Sequence, residues 1–216
     1  MQKPALVLWD WNGTLLDDLD FSICCLNTLL AEHDYPTRYD KAAYQAIFGF
    51  PIEEYYLRVG FDFEKHPFSA LAKRYIDLFI PGSTCCHVAA GGRDALHTIH
   101  AAGITQVVLS ASPTDILKEQ VAARNLTDFF DELLGLDDIY AKSKTARGIA
   151  WMAQSGIDPA SAVMVGDTDH DAQVAAAMGV RCILCTRGHQ SREILTATGA
   201  TIIDSLAELP ALLGID

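Results

Sequence analysis

Asp10, in the stretch Asp10-Trp11-Asn12-Gly13-Thr14-Leu15, stands directly behind the apolar run 5–9. An apolar run of that length closed by a turn signal reads as a buried strand. The strand therefore presents a carboxylate at its C-terminal edge, beside Gly13, which lets backbone N–H groups close on an anion. Gly166-Asp167-Thr168-Asp169-His170-Asp171 repeats the arrangement behind the apolar run 162–165. With a helix opening after Asp167, Asp171 lies about one turn along it and faces the same point. Ser110 ends the run 106–109, and Lys142 and Lys144 precede the helix-like stretch 145–154. Open parallel α/β sheets put their chemistry at this edge. Carboxylates, a hydroxyl and an ammonium gathered there suit a hard divalent cation and a phosphate. Mg²⁺ takes one or two carboxylates, waters and phosphate oxygens, and phosphoryl transfer is catalysed mainly by positioning and charge neutralisation.

The elements that must position these groups alternate from residue 87 onward. Helices are predicted over 93–102, 114–124, from the 144–145 region to 154, 171–178 and 191–198. Strands are predicted over 106–110, within 129–134, and over 162–166, 180–185 and 201–203. Such alternation implies a doubly wound parallel sheet with helices on both faces, a Rossmann-like α/β fold. Residues 18–86 differ, with apolar residues at three-to-four spacing (Phe21, Cys25, Leu29; Leu71, Tyr75, Leu78, Phe79) and no strand alternation. They read as an inserted α-helical cap domain with breaks near Tyr35-Pro36 and Pro81-Gly82. The domain division is thus 1–17 with 87–216 for the core, and 18–86 for the cap.

Composition narrows the function classes. The chain has 216 residues, half of them hydrophobic, and a net charge of −12, so it can bury a sizeable core. That charge disfavours nucleic acid, whose recognition needs clustered Lys and Arg. It also means that any phosphate must be held by local lysine, amides and metal. No apolar run reaches the roughly 18 residues of a membrane helix, so no membrane partner is expected. The N-terminal residues carry no signal-peptide pattern, which points to the cytoplasm and, with it, to reduced thiols at Cys24, Cys25, Cys85, Cys86, Cys182 and Cys185. Cys182 and Cys185 mimic a redox or zinc pair, yet residues three apart on a strand face opposite sides.

Taken together, Asp10-x-Asn12-x-Thr14, Ser110, a lysine before a helix, and Gly166-Asp167-x-x-x-Asp171 resemble the four motifs of the haloacid dehalogenase superfamily, in order and across nearly the whole chain. The match is to its phosphoglycolate-phosphatase-like branch with a helical cap. The resemblance implies an Mg²⁺-dependent phosphatase acting on a small phosphorylated metabolite, with Asp10 as nucleophile. It implies metal binding by Asp10, the Asn12 carbonyl, Asp167 and Asp171. Substrate binding falls to Gly13, Ser110, Ala111 and Lys144, and catalysis to Asp10, Asn12, Ser110 and Lys144. Lys144 is preferred over Lys142 because other branches place the lysine at this helix start, where Ser143 makes a natural N-cap.

Asn12 departs from the pattern, because the family's phosphatases carry a second Asp there as general acid and base. An amide keeps the backbone carbonyl for metal but cannot exchange a proton at neutral pH, a loss on the order of 10²–10⁴-fold. The dehalogenating branch would have Tyr at this position, so that chemistry is not implied. A non-catalytic phosphate-ligand binder and, less fittingly, a phosphomutase are the other readings. An insert behind the first strand can act as a lid, so specificity is expected around residues 17–21 and 48–51. His170 reads as a packed or solvent-facing ring, since Mg²⁺ prefers oxygen. The segment 188–192 reads as a helix cap through Ser191, with substrate contact as the other reading.

Overall fold

The first strand of the site, Leu6–Trp9, and the run 162–165 are apolar throughout because both of their faces are covered. The computed structural model describes residues 3–136 and 144–215. In chain order its elements are β1 (Leu6–Trp9), β2 (Leu16–Asp17), α1 (Leu19–Glu32), α2 (Lys41–Ile47), α3 (Ile52–Val59), α4 (Phe68–Ser83), β3 (His87–Val88), α5 (Gly92–Ala101) and β4 (Thr105–Pro113). There follow α6 (Thr114–Ala123), β5 (Glu132–Leu136), α7 (Lys144–Ser155), β6 (Ala162–Gly166), α8 (Asp169–Met178), β7 (Arg181–Cys185), α9 (Arg192–Ala197), β8 (Thr201–Ile203) and α10 (Leu209–Leu212). Six strands form one sheet in the order β5-β4-β1-β6-β7-β8, every neighbouring pair parallel. The strand order reverses beside β1, which makes the C-terminal ends of β1, β4 and β6 the crevice where such sheets bind ligands.

Alternation along β1 sends side chains to two separate cores. Val7 and Trp9 join Leu96, Ile99, Leu117 and Val121 on the α5/α6 face. Leu6 and Leu8 join Met152, Val174, Ala175 and Met178 on the α7/α8 face. Cys185 packs into the first core and Cys182 against the second, so the two thiols point to opposite faces, as their spacing predicts. A third cluster lies within the inserted helices, built on Leu26, Leu29, Leu30, Tyr44, Tyr56 and Leu71.

The structure differs from the sequence-based expectation in four places. The strand predicted over 106–110 runs as β4 from Thr105 to Pro113, with a register shift against β5 between Leu109 and Pro113. α8 starts at Asp169 because Thr168 caps it. The break predicted near Pro81-Gly82 falls at Ser83, so that Pro81 lies inside the last turn of α4. The helix ends within a turn of that proline, and the Ser83 and Thr84 hydroxyls donate to the Ile80 and Pro81 carbonyls at 2.8 and 2.9 Å. The insert also has an unforeseen base, an antiparallel pair of two-residue strands in which Leu16 faces Val88 and Asp17 faces His87. Among the described residues no helix is long and apolar enough to cross a membrane.

Gln106 is buried in the sheet, where it accepts from Trp9 Nε1 at 3.1 Å and donates to the Leu96 and Phe129 carbonyls. Leucine there would strand three polar groups in the core. Gln106→Leu should lower the unfolding free energy by about 1–3 kcal/mol in denaturant titration; a midpoint equal to that of the parent would contradict this bonding.

Candidate active site

Four elements deliver four charged side chains to the end of β1. Asp10 follows β1, Asp167 follows β6, Asp171 lies in the first turn of α8 and Lys144 opens α7. Oxygen atoms of Asp10, Asp167 and Asp171 lie within 4.8 Å of one another, and all three residues are buried. The Lys144 ammonium donates to Asp171 Oδ1 at 2.6 Å and to Asp10 Oδ1 at 2.5 Å. Lys142 lies outside the described residues.

Backbone groups and hydroxyls hold the remaining oxygens. Asp171 Oδ2 accepts from the Asp167 and Thr168 N–H groups and from Thr168 Oγ1, so Asp171 caps α8 while its other oxygen meets Lys144. Asp167 accepts from Thr14 Oγ1 at 2.9 Å and from the His189 N–H at 2.6 Å. Close approach is possible only because two neighbours lack side chains. A Cβ on Gly13 (φ +72°) or on Gly188 would come within 2.2 Å of Asp167 Oδ2. The Gly13 N–H, expected to face substrate, is donated instead to Asp18 Oδ1 at 2.7 Å and Leu16 O at 3.0 Å. Ser110 is buried on β4 and its Oγ accepts from Ser112 N at 3.0 Å. Ala111 lines the same cavity.

Asn12 is anchored at both ends of its amide. Its Nδ2 donates to Asp18 Oδ2 at 2.8 Å and its Oδ1 accepts from Ser112 Oγ at 2.8 Å. An ionised carboxylate only accepts, so Asp18 fixes which way this amide faces. Asp18 and His189 fall within the stretches 17–21 and 188–192 already marked in the sequence, whereas Tyr44 is a site residue that the sequence does not single out. His189 Nε2 lies 3.3 Å from Asp18 Oδ1, and its Nδ1 lies 3.0 Å from the Tyr44 hydroxyl on α2. Gln45 also donates to Gly188 O, and Gln190 to Phe48 O. The segment 188–192 therefore does two jobs: Ser191 caps α9, while His189 and Gln190 tie the inserted helices to the sheet edge. His170 stacks on Phe50 at 4.5 Å between ring centroids, a packed ring as expected, and burial lowers its pKa.

Burial and neighbouring charge set the protonation states. Burial pushes Asp10 well above the usual carboxylate range despite the Lys144 ammonium beside it. It pushes Asp167 up to about 6. Burial opposes ionisation of Asp171 as well, but Lys144 and the Thr168 hydroxyl hold it below its ordinary value. Burial likewise opposes the charge on Lys144, and the Asp10 and Asp171 carboxylates raise it. Asp18 outweighs burial at His189 and lifts it to about 9, an imidazolium at neutral pH. Three carboxylates against one ammonium leave an excess of negative charge when all are ionised. Hard oxygen donors with that excess are what a divalent cation such as Mg²⁺ requires.

The comparisons agree with this geometry. A model of the haloacid dehalogenase-like hydrolase family matches residues 7–185, and the chain belongs to that family. It is 28% identical to a probable phosphatase, IndB, from Dickeya dadantii (strain 3937), over 96% of this chain and 92% of that one. It is 27% identical to a phosphoglycolate phosphatase from Pseudomonas syringae pv. tomato, over 99% and 81%. Its fold is similar to the crystal structure of a predicted phosphatase from Clostridium acetobutylicum, with TM-score 0.83, 24% identity and coverage of 99% and 100%.

Asp167 carries a pH signature. Its folded pKa of about 6 exceeds the ordinary 3.8, so between those values the folded protein holds a proton that the unfolded chain releases. In chelator, the stability of the parent relative to Asp167→Asn should therefore fall as pH rises from about 4 to about 6, by on the order of 3 kcal/mol. A flat difference across that window, by denaturant titration at each pH, would contradict the assignment.

Proposed function

We propose that this chain is a Mg²⁺-dependent phosphatase that hydrolyses a small phosphate monoester through an aspartyl-phosphate on Asp10. The observation that carries the reading is the Lys144 ammonium held between Asp10 and Asp171 at the strand ends, with Asp167 beside them. The phosphatase names of the relatives support it. The proposed division is a catalytic core of 1–17 and 87–216 with a cap of 18–86, working in the cytoplasm.

Asp10, the Asn12 backbone carbonyl, Asp167 and Asp171 would hold Mg²⁺, which when bound neutralises charge on the phosphoryl oxygens. Asp10 supplies the carboxylate oxygen that attacks phosphorus in line. Lys144 turns from Asp10 to the equatorial oxygens as that carboxylate becomes an ester. Ser110, whose Oγ already accepts from Ser112 N, donates its O–H to another oxygen. Water then attacks the phosphorus of this acyl phosphate as the bond from phosphorus to the Asp10 oxygen breaks, so Asp10 returns as a carboxylate and the water's proton passes to phosphate or solvent. Asn12 gives no proton in either step. It orders Ser112 and Asp18, so the leaving group departs on its own basicity.

The anchored amide also favours a second reading, a phosphate-ligand binder that has lost turnover. Hydrolysis of p-nitrophenyl phosphate separates the two, because that leaving group needs little proton help. Mg²⁺-dependent release abolished by Asp10→Asn is expected; equal background rates in both proteins would favour the binder. Asn12→Asp should raise turnover of simple alkyl phosphates by about 10²-fold. No gain in an intact fold would contradict the role given to Asn12.

A further inference from the structure

The cavity above Asp10 has two unlike ends. Its floor holds Asp10, Asp167, Asp171, Lys144 and His189, while its upper walls are mainly aromatic and aliphatic, with Ser22, Gln120 and tyrosines as their uncharged polar members. It measures about 210 Å³, far beyond the roughly 10–15 Å³ that one water needs. Phe48, Tyr55, Tyr75, Ile76 and Phe79 from the inserted helices, with Ile116 from α6, form the upper part. Among the described residues no lysine or arginine of the inserted helices lines it. Four cations of the insert pair away from it: Arg58 with Glu54, Lys65 with Asp62, Lys73 with Asp77 and Arg74 with Glu32. The two cationic groups that do line it, Lys144 and His189, sit at the floor against Asp10, Asp171 and Asp18.

A carboxylate or second phosphate on the leaving group would lie among these carbons without a counter-charge, and burying an unpaired charge is costly. An aromatic ring instead finds faces and edges to pack on. Position 12 points the same way independently, since a leaving group that receives no proton from the protein must be a stable anion by itself. We propose that the substrates are aryl phosphate monoesters, with an uncharged aromatic leaving group seated among Phe48, Tyr55, Ile76 and Phe79. The proposal rests on the phosphatase reading. An Asp10 oxygen forms the new bond to phosphorus as the P–O(aryl) bond breaks. The electron pair leaves on the phenolate oxygen, which takes a proton from water. A second water displaces Asp10 from phosphorus, so that aryl phosphate and water become phenol and phosphate.

The test compares kcat/KM for 2-naphthyl, phenyl and 4-carboxyphenyl phosphate and for phosphoglycolate, in Mg²⁺. The naphthyl ester should exceed the 4-carboxyphenyl ester and phosphoglycolate by about tenfold or more, the discrimination expected of a pocket that gains a buried ring and rejects a charge. Ile76→Ala should shrink the naphthyl-to-phenyl ratio, and Ile76→Arg should reverse the naphthyl-to-carboxyphenyl order. Phosphoglycolate or the carboxyphenyl ester as the best substrate would overturn the proposal. Should no ester turn over, the phosphatase reading fails separately. Calorimetric binding to Asp10→Asn then decides this one: 2-naphthyl phosphate tighter than phosphoglycolate sustains it, and the opposite order or equal affinities overturn it.

Discussion

One ammonium shared by two buried carboxylates is the constraint on which the rest of the site is built. Lys144 reaches Asp10 and Asp171 at once, and it does so from the first residue of α7. A positive charge at a helix N-terminus works against the helix dipole. Two carboxylates within hydrogen-bond reach outweigh that cost. Removing such a partner leaves buried charges bare, a loss of about 3–5 kcal/mol. Lys144 is the ammonium that offsets Asp10, Asp167 and Asp171 in this buried cluster, and the negative charge left over when all three are ionised suits a divalent cation.

The geometry around this pair is set by what is missing as much as by what is present. Gly13 and Gly188 leave the space that Asp167 fills, so the β1 and β7 loops close on one carboxylate. Asp18 then gathers the next layer, accepting from the Gly13 N–H, the Asn12 amide and His189. Through His189 this layer reaches Tyr44 on α2. The inserted helices are thereby fastened to the catalytic edge by polar contacts, while their apolar cluster faces the cavity they cover. In the proposed phosphatase, substrate choice and phosphoryl chemistry fall to opposite walls of one space.

Much of this arrangement is legible in the chain alone. Apolar runs ending in Asp10 and Asp167 mark two strand ends, because a strand buried on both faces leaves an unbroken signature; Ser110 is marked the same way, although β4 runs on past it to Pro113. Lys144 is marked by its place before a helix, and Asp171 by its spacing from Asp167. Asp18, Tyr44 and His189 are different. Asp17 and Asp18 are adjacent and of one type, yet only Asp18 is buried, a distinction created by the turn of the short β2 strand. Tyr44 looks like one more aromatic on an apolar helix face, and His189 like part of a helix-capping loop. Their roles come from contacts across more than a hundred residues of chain, which no local period encodes.

A crystal soaked in Mg²⁺ and beryllium fluoride tests the central claim most directly. The account predicts trifluoroberyllate joined to an Asp10 oxygen, with the Lys144 ammonium turned onto a fluorine and Mg²⁺ between Asp10 and Asp167. Asp10 left bare under saturating reagent, with Lys144 still bound to it, would contradict the account.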